Sequence, residues 1–129
     1  MKKKKHKILI LDGDKATLKI IAKYLSWNGF SVDTMNDAEE VLSRIEKKKY
    51  SLVICDELLA PDNGYALCEK IRGHSKEVVS AVNIIIIAAE DPDIEKYATL
   101  KRCNAFFLNK YASPGRWLSK IKLIIGDDQ

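Results

Sequence analysis

The feature that most constrains this chain is an alternation of two apolar periods. Continuous apolar runs of strand length occur at Lys7–Leu11, Leu52–Cys55, Ile84–Ala88 and Ala105–Leu108. A run that is apolar throughout suits a strand buried on both faces, as in a parallel sheet. Ser31–Met35 is weaker and alternating, the pattern of an edge strand. Between the runs the apolar residues recur with helical spacing. Leu18, Ile21, Ala22 and Leu25 fall at i, i+3, i+4 and i+7, as do Ala38, Val41, Leu42 and Ile45, and Gly64, Leu67, Cys68 and Ile71. Pro114, Trp117, Leu118, Ile121, Ile124 and Ile125 form a last apolar stripe.

Punctuation residues agree. Gly29 is a stop for the first helix, and Asn36 or Asp37 a cap for the second. Asp91-Pro92 and Ser113-Pro114 open the fourth and fifth, with proline in the first turn, where its missing N–H costs nothing. Five βα units predict a three-layer, doubly wound α/β domain: five parallel strands, right-handed crossovers and five helices on the two faces. In such a sheet the site lies at the carboxyl ends of the strands, near the switch in strand order.

The 129 residues support one domain with a proper core. The sequence divides it into a basic tail (1–6), a domain (7–126) and a C-terminal tail (127–129). Apolar residues at 47% and charged residues at 31% are ordinary for a globular chain. No apolar run approaches the roughly 20 residues of a membrane span. The start, MKKKKHKILIL, meets Asp12 and Asp14 too early for a signal peptide, so a cytoplasmic address is expected. Lys2 to Lys5 account for the net charge of +4, which makes basicity a property of the tail. No arginines or aromatics interleave with these lysines, so nucleic acid is not an expected partner. Cys55, Cys68 and Cys103 have no metal-ligand spacing and read as reduced thiols, Cys55 as a small buried hydrophobe.

The residues just past each strand therefore matter most. They are Asp12-Gly13-Asp14, Asp56-Glu57, Ala88-Ala89-Glu90 and Asn109-Lys110. Acids from two strands would repel one another unless a cation neutralised them, and hard oxygen ligands suit Mg²⁺. A lysine close by can pair with an anionic group on that metal. Aspartate, magnesium and lysine are the minimal set for phosphoryl transfer onto a carboxylate.

At this point a resemblance becomes specific. The stretch from KILILDGDKAT through SLVICDELLAPDNGYALCEKIR, then NIIIIAAED and AFFLNK, resembles a response-regulator receiver domain over nearly the whole chain. The resemblance implies the flavodoxin-like strand order 2-1-3-4-5. It implies that Asp56 is the phosphoacceptor, that Lys110 contacts the phosphoryl group, and that Gly64 is the loop glycine. Asp12, Asp56 and the backbone carbonyl of Leu58 would hold Mg²⁺, and Asp14 is a further candidate although its position turns its side chain elsewhere.

The pattern also has departures. Gly13 stands where the resemblance implies a second acid, which implies weak metal binding. Ala88 stands at the switch hydroxyl, and Phe107 at the switch aromatic, without a phenolic group. Tyr111 replaces a proline usually joined by a cis bond. Pro61 falls one position late in ELLAPDNG. Phosphorylation is therefore expected to switch the surface weakly. Implied partners are a sensor histidine kinase or phosphotransfer protein as donor, and a downstream protein at the face of the fourth helix, fifth strand and fifth helix. Tyr97, Lys101, Arg102, Tyr111 and Arg116 lie on that face, and a second copy of the chain is another candidate partner. The rival readings are a phosphorylation-independent interaction module, and a haloacid-dehalogenase-like phosphatase with Asp12 as nucleophile and Asp14 as acid/base. No output domain follows the last helix in this sequence, as expected either of a stand-alone receiver or of one cut from a longer protein.

Overall fold

In a computed structural model, residues 6–36 and 38–126 are described. The lysine run, Asp37 as a helix cap, and the tail at 127–129 lie outside them. The element order is β1 (Lys7–Leu11), α1 (Lys15–Trp27), β2 (Ser31–Met35), α2 (Val41–Lys48), β3 (Leu52–Asp56), α3 (Gly64–Arg72), α4 (Glu77–Ser80), β4 (Asn83–Ala88), α5 (Ile94–Arg102), β5 (Phe106–Asn109) and α6 (Pro114–Ile125). The strands are all parallel, in the order β2-β1-β3-β4-β5, so the expected doubly wound sheet is present.

Alternation along the strands splits the core in two. Ile8, Ile10, Leu52, Ile54, Ile85 and Ile87 face α1 and α6, where they pack with Leu18, Ile21, Leu25, Trp117 and Ile121. Leu9, Leu11, Val53, Cys55, Ile84 and Ile86 face the other way, onto Val41, Ile45, Leu67, Cys68, Ile71, Val79 and Leu100. Each of the Val, Leu and Ile side chains contributes about 1.5–3 kcal/mol by leaving water. The middle strands are thus apolar on both faces, whereas β2 is largely accessible, as an edge strand should be. Cys55, Cys68 and Cys103 are buried free thiols, and burial pushes the Cys68 thiol up to about 12.

Three helix expectations need correction. A sixth helix, α4, is a single turn, too short to leave a periodic trace. The second helix begins at Val41 after Glu40 in a left-handed conformation, with no side-chain cap. The Ala38 N–H is instead bonded to the Ala60 carbonyl (2.7 Å), which ties the entry to the β3–α3 loop. The fifth helix in the chain starts at Ile94, not at Asp91-Pro92, because the Asp93 carboxylate caps the Lys96 N–H (2.9 Å). The expected stop at Gly29 is present, with φ +96, and Ser113 caps α6 ahead of Pro114. No helix among the described residues is long and apolar enough to cross a membrane.

Candidate functional site

The sheet aligns the residues that the sequence singled out. Register pairs Leu11 with Cys55, Asp56 with Ile87, and Ala88 with Asn109. Backbone bonds carry the ladder just past the strand ends: Asp12 N–H to Met35 O (3.1 Å), Glu57 N–H to Ile87 O (2.8 Å), and Lys110 N–H to Ala88 O (2.8 Å). Asp12, Asp56 and Lys110 consequently meet at one mouth on a backbone that cannot drift.

Lys110 Nζ lies 2.6 Å from Asp56 Oδ2 and 3.2 Å from Asp12 Oδ1. The remaining Asp56 oxygen, Oδ1, accepts the Leu58 N–H at 3.0 Å. The Asp14 N–H donates to Asp12 Oδ1 (2.8 Å), while Asp12 Oδ2 is buried with no partner. Both carboxylates are nearly inaccessible, at 1% for Asp12 and 4% for Asp56. Burial pushes the Asp12 carboxyl above its ordinary range; the Asp14 N–H opposes this, the neighbouring Asp56 adds to it, and Lys110 opposes it. For Lys110 burial acts to lower the ammonium, but its bonds and attraction to the two carboxylates outweigh that and hold it above its usual range.

Asp14 does not join the group. Its carboxylate caps α1, accepting the N–H groups of Ala16 (3.1 Å) and Thr17 (3.4 Å) and the Thr17 hydroxyl (2.8 Å). The Thr17 bonds hold its pKa below the usual carboxylate range. Gly64 has a close-approach role. A Cβ there would sit 2.5 Å from the Asp56 carbonyl oxygen, and its N–H bonds the Glu57 carbonyl (2.9 Å), so α3 starts against the end of β3. At Gly13 an added Cβ would meet nothing within 4 Å.

Asp56, Leu58, Ala88 and Lys110 line a cleft of about 370 Å³, together with Glu57, Glu90, Asp91, Asp93, Lys96 and Tyr111. Phe107 is half-buried against the α3/α5 side of the core. Tyr111 is exposed, its N–H held by the Asn109 side chain (2.9 Å), and the cis peptide among the described residues is Ala60–Pro61. Of the surface residues, Tyr97 is 55% exposed beside Lys101, Arg102 pairs with Glu69 (2.6 Å), and Arg116 lines a groove with Phe107 and Tyr111. Trp117 is core. Two features carry no local sequence signal: the Glu57–Lys96 ion pair, and Arg72, whose guanidinium bonds four carbonyls.

In kind, the donors fit a hard cation: two buried carboxylates, with one Asp12 oxygen that has nothing else to bind. In number they are few. No cluster of three or more acidic, histidine or cysteine side chains able to hold a metal occurs among the described residues.

A fold of this order with buried acids and a lysine at the strand ends defines a class, and comparison with known proteins agrees. The response regulator receiver domain family model matches residues 8–122, and the chain belongs to that family. It is 27% identical over 118 residues to the transcriptional regulatory protein GltR of Pseudomonas aeruginosa, covering 92% of this chain and 48% of that protein. It is 25% identical over 119 residues to the alkaline phosphatase synthesis transcriptional regulatory protein PhoP of Bacillus subtilis, with the same coverage. The chain spans about half the length of the curated relatives it matches. Among solved structures it is similar to a two-component response regulator from Clostridium difficile (27% identity, TM-score 0.81, 93% and 95% of the two chains). A CheY-like receiver domain protein from Methanospirillum hungatei is comparable (26%, TM-score 0.82, 93% of each). Receiver domains are signalling domains that generally bind Mg²⁺ and work with histidine kinases or phosphotransfer proteins and with effectors. This membership removes the basis for a phosphatase reading, and Asp14 is occupied as a helix cap.

Proposed function

We propose that this chain is a phosphoacceptor domain of a two-component relay, with Asp56 as the accepting residue. One observation carries the reading: the Asp56 carboxylate sits at the end of β3, buried, with one oxygen on Lys110 and the other on the Leu58 N–H. In the reaction, an Asp56 carboxylate oxygen forms a bond to phosphorus. The bond from phosphorus to the donor's imidazole nitrogen or acyl oxygen breaks, and that atom leaves with the bonding pair. Lys110 then balances charge on the phosphoryl oxygens. The chain itself catalyses nothing beyond its own phosphorylation and dephosphorylation.

Asp12, Asp56 and the Leu58 carbonyl would hold Mg²⁺, which supplies charge neutralisation for an incoming phosphoryl group; Asp14 stays a helix cap. Without an acid at Gly13, affinity for the ion is low, since it follows ligand charge. Ala88 has no hydroxyl to be drawn toward a phosphoryl group, and Phe107 is already half inside. The switch is therefore weak, because a ligand with similar affinity for two states cannot shift them. Donor partners are a sensor histidine kinase or a phosphotransfer protein in the cytoplasm. The downstream partner, or a second copy, docks on the face of α5, β5 and α6, where Tyr97 and Tyr111 are exposed.

Incubation with Mg²⁺ and acetyl phosphate, followed by intact mass, tests the proposal. The expected result is a single phosphoryl adduct in the wild type and none in Asp56→Asn. An adduct that survives in Asp56→Asn sinks the assignment. A second reading, an interaction module independent of phosphorylation, is favoured by Gly13 and Ala88, which supply neither a metal carboxylate nor a switch hydroxyl. Absence of any adduct, with partner binding intact, selects it.

A further inference from the structure

Lys96, in the first turn of α5, is ion-paired with Glu57, the residue that follows Asp56. The Glu57 backbone is fixed on both sides, its N–H on the Ile87 carbonyl and its carbonyl on the Gly64 N–H. The Lys96 side chain is 44% exposed and has room to re-aim. The pair therefore joins the loop beside the acceptor residue to the helix that presents Tyr97. It also lies on the wall of the same cleft as Asp56.

The charge inventory of that cleft is lopsided. Five lining carboxylates, Asp56 and Glu57 among them, face two ammoniums, Lys96 and Lys110. Lys110 is already shared between Asp12 and Asp56. A phosphoryl group on Asp56 puts about two negative charges and three acceptor oxygens into this space, in place of the single charge of the carboxylate. The methyl of Ala88 donates nothing to them. A flexible ammonium choosing between a carboxylate with one charge and a neighbouring phosphoryl group with nearly two goes to the latter.

We propose that Lys96 is a second phosphoryl-binding cation, which leaves Glu57 for the phosphoryl group on Asp56 and changes the tether of α5 to the β3–α3 loop. The inference rests on the reading of Asp56 as phosphoacceptor. It gives α5 a route to sense the site that does not pass through a hydroxyl at Ala88.

Beryllofluoride, titrated in Mg²⁺ and followed by amide NMR, tests the idea on the wild type, Lys96→Met, Glu57→Gln and Lys101→Met. Lys101 is the control, since it removes one positive charge from the same helix outside the cleft. The expected result is affinity about tenfold weaker in Lys96→Met, near wild type in Lys101→Met, and several-fold tighter in Glu57→Gln, which frees Lys96. The tightening in Glu57→Gln should shrink when Lys96→Met is added. Equal affinities in Lys96→Met and Lys101→Met overturn the inference while leaving Asp56 as acceptor. If the wild type binds no beryllofluoride and takes no adduct from acetyl phosphate, the acceptor reading fails and this inference with it.

Discussion

Gly13→Asp puts the electrostatics of the site to a quantitative test. The position accepts a side chain, because a Cβ there meets nothing within 4 Å and the backbone is not left-handed. The new carboxylate would join Asp12 and Asp56, already paired with Lys110. Two unit charges about 5 Å apart in a water-like medium repel by about 0.8 kcal/mol, and a divalent cation at that distance attracts one by about 1.7 kcal/mol. Partial burial raises both figures, while Lys110 offsets some of the repulsion. The variant should therefore be less stable than wild type by about 1 kcal/mol without metal, and should bind Mg²⁺ at least tenfold more tightly. Urea unfolding in chelator and in millimolar Mg²⁺ reads both effects at once. The two stability curves should cross as Mg²⁺ is added. Unchanged stability in chelator together with unchanged Mg²⁺ affinity would refute the reasoning.

Other perturbations have signs fixed by the same geometry. Arg72→Ala leaves the carbonyls of Ser80, Val82, Cys103 and Asn104 without their shared donor and should lose about 2–4 kcal/mol in urea unfolding, with Arg72→Lys recovering less than half. A loss under about 1 kcal/mol would mean that water replaces the guanidinium. Gly64→Ala drives a methyl into the Asp56 backbone; about 1–3 kcal/mol of stability should be lost, and adduct formation from acetyl phosphate should slow. Asp12→Asn should stabilise the protein at neutral pH. Burial raises the folded carboxyl above its ordinary 3.8, so the folded state holds the proton longer and stability falls as pH rises through that window. The advantage of the variant should disappear below pH 3.8, and an advantage that persists there would point to packing instead.

The fold was legible because topology and burial leave the same mark. β1, β3 and β4 have neighbours on both sides and helices on both faces, so their sequences are apolar at nearly every position. β2 sits at an edge and reads more weakly, whereas β5, also at an edge, reads as a continuous apolar run although only Leu108 within it is buried. Helix starts were less legible because long-range contacts decide them. Nothing near Asn36 announces that Ala38 will bond Ala60, which delays α2 to Val41. Asp91 and Asp93 are equally good caps on paper; the proline between them favoured the first, and the bond to the Lys96 N–H selects the second.

The meeting of Asp12, Asp56 and Lys110 was legible for a different reason: in a parallel sheet every strand ends on the same side. What lies beyond the strand ends was not. Glu57 finds Lys96, and Arg72 finds its four carbonyls, across sequence gaps with no period to reveal them. These long-range pairs help set how the site behaves. Asp12, Asp56 and Lys110 sum to one negative charge, and a third acid at position 13 would make it two. With the smaller charge, and with Lys110 shared between the two carboxylates, less repulsion is stored for an ion to relieve. The low Mg²⁺ affinity proposed above follows from the same cause, the missing carboxylate at Gly13. On the proposed function, a phosphoryl group reaching Asp56 meets a site with little metal charge to spare. On the same proposal the neighbouring lysines supply more of the balance, Lys96 with its hold on α5 among them.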